Sequence, residues 1–215
     1  MDSTTFSLFR GSAAAGADPG PAIGEPYQGG YFAGYISYNE DGVATHGLIV
    51  ASRLAEFDEA LVPSSQELTT DKADGLANSL FLYDKSSLAA GICLAYKNDG
   101  YEDWYLPAKN ELEIAYYNLK PSTDANVGTS GINQNSVPRR DSNYTSSDPS
   151  QTSVELFQTG KNQAFSTNPD NYRYWTSTCP FGNSDAKGIR FTDGRAVDNG
   201  NTQVRRCRPF RKFAL

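Results

Sequence analysis

One imidazole, three thiols and a few clustered carboxylates are the groups in this chain whose types could do chemistry. His46 is the only histidine. To catalyse, it would need a nucleophile or a second base beside it. Its neighbours, Thr45, Gly47 and a Leu-Ile-Val run, offer neither, so a structural role is expected. Cys93, Cys179 and Cys207 make an odd count, and no Cys-x-x-Cys pair occurs. That argues against a disulfide scaffold or a zinc site and leaves buried thiols as the expectation. Asp185, Asp193 and Asp198 could gather oxygens for calcium, which needs several converging ligands. Turn chemistry accounts for the same residues. Trp104 and Trp175 could stack on a sugar, but their strand-like surroundings predict core packing.

Composition bounds the classes open to the chain. Its 215 residues suit one large domain, or one domain plus an arm. Thirteen Tyr and eleven Phe against one Met point to rigid, β-rich packing. The net charge of −6 and pI near 4.8 exclude a nucleic-acid partner, because phosphate binding needs a basic face. The one basic run, Arg205, Arg206, Arg208, Arg211 and Lys212, reads as strand ends paired with acidic neighbours. No apolar run approaches the ~20 residues of a membrane span. Met1 to Ala17 has no charged start followed by an apolar core, so no Sec signal peptide is expected.

The elements that must position these groups follow from pattern. Residues 1–21 are rich in Gly, Ala, Ser and Pro and read as an extended arm. Phe6, Leu8 and Phe9 are its large apolar side chains, and they suit docking on a neighbouring subunit. Residues 22–215 form the domain proper. Strands are expected within 27–51 and 172–208, with Asp193-Gly194 as a hairpin turn. Residues 52–70 look irregular, and Asp74 to Ser79 reads as a loop. Two helices are predicted. One runs over 86–97, capped by Ser86 or Ser87, with Leu88, Ile92 and Ala95 on its inner face. The other runs over 107–117, opened by Pro107, with Glu111 offsetting the helix dipole and Leu112, Ala115 and Tyr116 facing inward. Residues 121–171 are rich in Ser, Thr, Asn and Pro and read as a long outward loop insertion.

Six motifs in order carry a resemblance. They are Gly29-Gly30 with His46-Gly47-Leu48-Ile49, Gly75-Leu76-Ala77-Asn78-Ser79, and Asp103-Trp104-Tyr105-Leu106-Pro107 leading to Glu111-Leu112. Tyr174-Trp175-Thr176-Ser177, Phe191-Thr192-Asp193-Gly194 and Val204-Arg205-Arg206-Cys207-Arg208 follow. Together they resemble the Lcl C-terminal domain family of bacterial and phage proteins, over roughly residues 22–211. The chain departs from that family at Cys207, where Val is usual, and in the length of 121–171.

The resemblance implies an α+β, C-type-lectin-like fold, with two helices on small antiparallel sheets and paired N- and C-terminal strands. It implies Trp104, Leu106, Pro107, Glu111, Leu112, Trp175, Asp193, Gly194, Arg205 and Arg208 as structural motif residues. Asn168-Pro169-Asp170 resembles the triplet with which calcium-dependent lectins hold a sugar, but the usual partner strand is missing. Cysteine oxidases of related fold use two close thiols for copper, for which Cys179 and Cys207 are candidates. Cys93 and Cys207 could instead mimic the lectin helix-to-strand disulfide.

The expected function is that of a non-enzymatic phage virion protein, in a tail, fibre or capsid decoration. Its arm would contact other virion subunits, and its loops at 121–171, 179–185 and 193–203 would meet a host surface glycan or protein. A homo-oligomer without catalytic residues or cofactor is expected, calcium being the one candidate. The place is the virion, assembled in the host cytoplasm. Alternatives are a bacterial lectin-like adhesin or a cysteine-based oxidase.

Overall fold

The aromatic, glycine-punctuated run Gly30–Ile36 and the aliphatic run His46–Val50 pair as antiparallel strands β2 and β3. Their register shifts between Phe32 and Gly34, where α3 (Lys109–Leu119) crosses. A side chain at Gly34 would run into Ile114 and Asn118, while the Asn118 amide donates to the Ala33 carbonyl at 2.7 Å. Glycine therefore permits the close helix-to-strand approach at the bulge. The computed structural model describes residues 20–62, 69, 71–168, 173–179 and 185–215. The proposed anchors Phe6, Leu8 and Phe9 lie outside the described residues.

The described residues form a mixed α+β architecture of three helices and two sheets. The first sheet has the order β1 (Pro26–Tyr27), β2, β3, β10 (Phe210–Ala214), with β5 (Ser136–Val137) also paired to β2. The second has the order β4 (Phe57–Ala60), β9 (Val204–Cys207), β6 (Arg173–Trp175), β7 (Asp185–Arg190), β8 (Ala196–Gly200). All pairs are antiparallel except β6 with β9. The N- and C-terminal strands do share a sheet, but through β10 beyond residue 208. The expected last strand, β9, belongs to the other sheet.

Several expectations need correction. Residues 74–79 are not a loop. The Asp74 carboxylate accepts from the Ala77 N–H at 3.1 Å and caps α1 (Gly75–Asp84), making three helices instead of two. Residues 52–70 contain β4 and a short 3-10 turn at Arg53–Ala55. Ser87 caps α2 (Leu88–Ala95), but the inner face is Ala89, Ala90 and Cys93. Leu88 and Ile92 point outward, at 60% and 44% exposure. Pro107 precedes the first turn of α3 instead of occupying it. The 185–200 hairpin does turn through Asp193-Gly194.

Residues 121–168 carry little regular structure, yet they are not a loose outer loop. Phe157, Phe165 and Tyr144 sit in the main core with Ile114, Tyr116, Tyr174 and Phe191. The rings of Phe165 and Phe191 stack at 3.8 Å. Three large aromatics within a polar stretch are enough to seat it. Among the described residues, no helix is long and apolar enough to cross a membrane.

Candidate functional site

Three consecutive side chains set the centre of the molecule. Trp104, Tyr105 and Leu106 are each fully buried, and each enters a different apolar cluster. Trp104 packs with Phe32, Ile49 and Ala51; Tyr105 joins the main core; Leu106 meets Trp175, Cys93 and Cys207. Trp104 is core-packed, as its surroundings predict, but it does not share a strand face with Leu106. Instead the segment makes a single bridge, Tyr105 to Phe210, and threads between packing units. Leu106 is also pinned to α1, since its N–H donates to the Ser79 hydroxyl at 2.9 Å and that hydroxyl donates to its carbonyl at 3.1 Å.

Glu111 closes this segment. Its Oε2 accepts from the Ala108 N–H at 2.8 Å, satisfying an orphan donor at the α3 start. Its Oε1 accepts from the Tyr105 hydroxyl at 2.7 Å and the Tyr38 hydroxyl at 3.4 Å. Gly75 leaves the space, because a Cβ there would strike the carboxylate. Lys212 pairs with Asp74 at 3.0 Å and lies over the Tyr38 ring, which meets His46 edge-on at 5.0 Å.

Burial pushes the Glu111 carboxyl up to about 7, while the Ala108 N–H, the Tyr105 hydroxyl and Lys212 pull it down. Burial likewise raises Tyr38 and Tyr105, the Glu111 charge adding to both. His46 is lowered by burial and by Lys212. Titratable groups therefore converge here within hydrogen-bond reach of one another. They converge around a fully enclosed carboxylate, outside both surface clefts described next.

One cleft, of about 360 Å³, lies between two tight turns and is lined by Pro26 to Tyr31, Ser52, Asn98 and Asp99. Gln28-Gly29 and Asp99-Gly100 all have positive φ, as two-residue hairpin turns of this hand require. The Asn98 amide ties the turns together by donating to the Gly29 carbonyl at 2.6 Å. The other cleft, of about 390 Å³, is lined by Arg53, Thr159, Gly160 and residues 164–168. Neither contains His46, Glu111 or a cysteine.

The remaining candidates are engaged structurally. Cys93, Cys179 and Cys207 are free thiols buried in one cluster, as expected, and the alternative Cys93–Cys207 pairing is not made. Burial raises all three thiols, Cys179 to about 12, which keeps them protonated and poor as nucleophiles. Trp104 and Trp175 are buried, and their indole N–H groups donate to the Tyr101 and Glu59 carbonyls. Asp193 is gripped by the Arg190 guanidinium and Asp198 pairs with Lys187, so the acids do not gather with Asp185 as an oxygen site. Among the described residues, no group of three His, Cys, Asp or Glu side chains could hold a metal. Pro169 and Asp170 lie outside the described residues.

Arg206, Arg208, Arg211 and Lys212 of the basic run pair with acids, as its reading anticipated, whereas Arg205 does not. Arg206 pairs with Asp58 and Glu56, and Arg211 forks onto Asp103 at 2.7 and 2.9 Å. Arg208 is buried; it donates to the Ala51 and Gln163 carbonyls and lies 4.4 Å from the Phe165 ring centre. Arg205 bonds its own strand's Val204 carbonyl.

Sequence reasoning missed the buried amides. Asn110 donates to Asn135, Asn133 to the Asn110 carbonyl, and Asn135 to the Ser37 carbonyl, at 2.7 to 2.9 Å. Asn126 donates to the Thr145 and Pro149 carbonyls. These amides replace a missing β-ladder for the 121–150 stretch. The signal was the density of Asn there, which looked like loop composition. No protein-family model matches the chain, and no curated protein matches it.

Proposed function

We propose that this chain is a C-type-lectin-like domain of the Lcl C-terminal type, serving as a non-enzymatic structural and binding protein of a phage particle. One observation carries this reading. The three thiols and Glu111 are enclosed in the frame, while an irregular stretch held by buried amides turns polar residues outward. Asp141 to Asn143 and Thr145 to Asp148 are exposed, yet Tyr144 between them is buried and the Asn126 amide holds the Thr145 carbonyl. A segment ordered before contact loses less entropy when it binds, which suits recognition. Raised, buried thiols speak against the cysteine-oxidase alternative.

Antibody labelling of purified particles tests the assembly half. Discrete labelling at the tail or capsid surface is expected, and a protein that stays wholly in the unassembled fraction overturns it. Exchanging residues 141–148 for a Gly/Ser stretch should leave incorporation intact and reduce adsorption to host cells. Unchanged adsorption removes the recognition role from this segment.

A further inference from the structure

Five of the large apolar side chains left exposed among the described residues sit on two adjacent helices. They are Leu80, Phe81 and Tyr83 on α1, and Leu88 and Ile92 on α2. The other exposed apolar residues, such as Val43, Leu54 and Ile132, are dispersed along the chain. Leu88, Ile92 and Ala95 follow an i, i+4, i+7 row, so they form one stripe. The stripe joins α1 where the Tyr83 ring lies over Gly91: a Cβ at Gly91 would come within 3.2 Å of it. No charged residue occurs in α2, and Asp84, at the C-terminal end of α1, is exposed and forms no ion pair among the described residues. Scattered single apolar residues need no explanation, but Leu80, Tyr83, Leu88 and Ile92 share one side, Phe81 lying on the far flank of α1 against Lys85, and a contiguous patch marks an interaction site.

We infer that the α1–α2 face is the docking surface for the N-terminal segment of a second copy of this chain, with Phe6, Leu8 and Phe9 seated on it. This rests on the assembly reading above and names its receiving surface. Nineteen residues precede Gly20. Their large apolar side chains are confined to positions 6–9, and the Gly/Ala/Ser-rich stretch that follows is a natural tether. From residue 9 to residue 20 an extended chain spans up to roughly 35 Å, enough to leave one protomer and reach another. Short apolar anchors laid across a helix pair follow the general helix-groove mode of recognition in reverse.

The test uses the full chain in three forms: wild type, an arm variant (Phe6→Ser, Leu8→Ser, Phe9→Ser) and a face variant (Leu88→Glu, Ile92→Glu). Mass is measured by light scattering after size exclusion, and fold by circular dichroism. Wild type is expected to be oligomeric, and each variant folded but dissociating at a concentration about tenfold higher or more. Mixing the two variants should restore dimers, because one supplies an intact arm and the other an intact face. A face variant that keeps its mass while the arm variant loses it overturns the proposed surface and leaves arm-driven assembly standing. An arm variant that keeps its mass overturns both. A monomeric wild type in which the arm variant alone unmasks the face to hydrogen exchange shows docking within one chain and overturns the second-copy assignment.

Discussion

Helix α3 buries Leu112, Ile114, Ala115, Tyr116 and Leu119, whereas α2 buries Ala89, Ala90 and Cys93 and leaves Leu88 and Ile92 outside. The two helices are neighbours in sequence and their packing follows opposite rules. In α3 the half-buried Lys109, Tyr117 and Asn118 mark the more open side, and the large apolar residues face inward together with the bonded Asn110, Glu111 and Glu113. In α2 every residue but Gly91 is apolar, so the pattern selects no face. Space then decides. Only small side chains fit between α2 and the cluster of Trp175, Leu106 and Leu61. The lesson is that apolar periodicity orients a helix only when a polar face opposes it.

Substitutions can break this comparison, and the inner face of α2 should respond most. Ala90→Glu would bury an unpaired carboxylate where no partner exists, so it should cost roughly 4 kcal/mol or more, or prevent folding. Soluble expression and urea denaturation give the measurement. A variant within about 1 kcal/mol of wild type would show that Ala90 faces solvent. Next in size, Leu112→Ala on α3 should cost about 2–5 kcal/mol through lost contacts and a cavity in the main core. Smallest is Leu88→Ser on the outer stripe of α2, expected within about 0.5 kcal/mol of wild type in the dissociated protein. A loss comparable to Leu112→Ala would return the large residues of α2 to the inner face.

Where an element is local, its sequence announces it. The cap and stripe of α3, the Asp193-Gly194 turn and the runs of β2 and β3 are set by nearby residues. The Asp74 cap of α1 was equally local, but Gly75 and Asn78 inside the first turn masked the helix. Strands β4 and β10 were missed because Phe57–Ala60 and Phe210–Ala214 are half charged, and their partners lie about 150 residues away in sequence. The site divides the same way. Glu111 was legible as an N-terminal carboxylate, since position three of a helix suits one. Its role as a hub was not, because Tyr38 lies 73 residues away and Lys212 comes from the final strand. The same holds for Asn133 and Asn135, whose composition looks like loop until their partners are known.

We propose that the convergent titratable groups hold the frame, and Glu111 tests this most directly. Tyr38 and Tyr105 bond it and Lys212 and Asp74 act on its charge, while Asp71 and His46 lie one neighbour further out, beside Tyr38. Its folded-state pKa of about 7 lies above the ordinary 4.5. The folded protein therefore holds this proton more tightly than the unfolded chain. The resulting stability is full below about pH 4.5 and is lost as pH rises through about 7, a difference of roughly 3 kcal/mol. Asp74, whose carboxyl is lowered, works in the opposite sense at more acidic pH, outside that window. The measurement is urea denaturation from pH 5 to 8 on wild type and on Glu111→Gln, which keeps the shape and removes the charge. Relative to the variant, wild type is expected to lose stability as pH rises from 5 through about 7 and to level off by pH 8, while the lowered His46 gives both proteins an opposite trend below about 6.5 that cancels in the difference. Parallel curves for the two proteins would contradict a buried, proton-holding Glu111 at the centre of the frame.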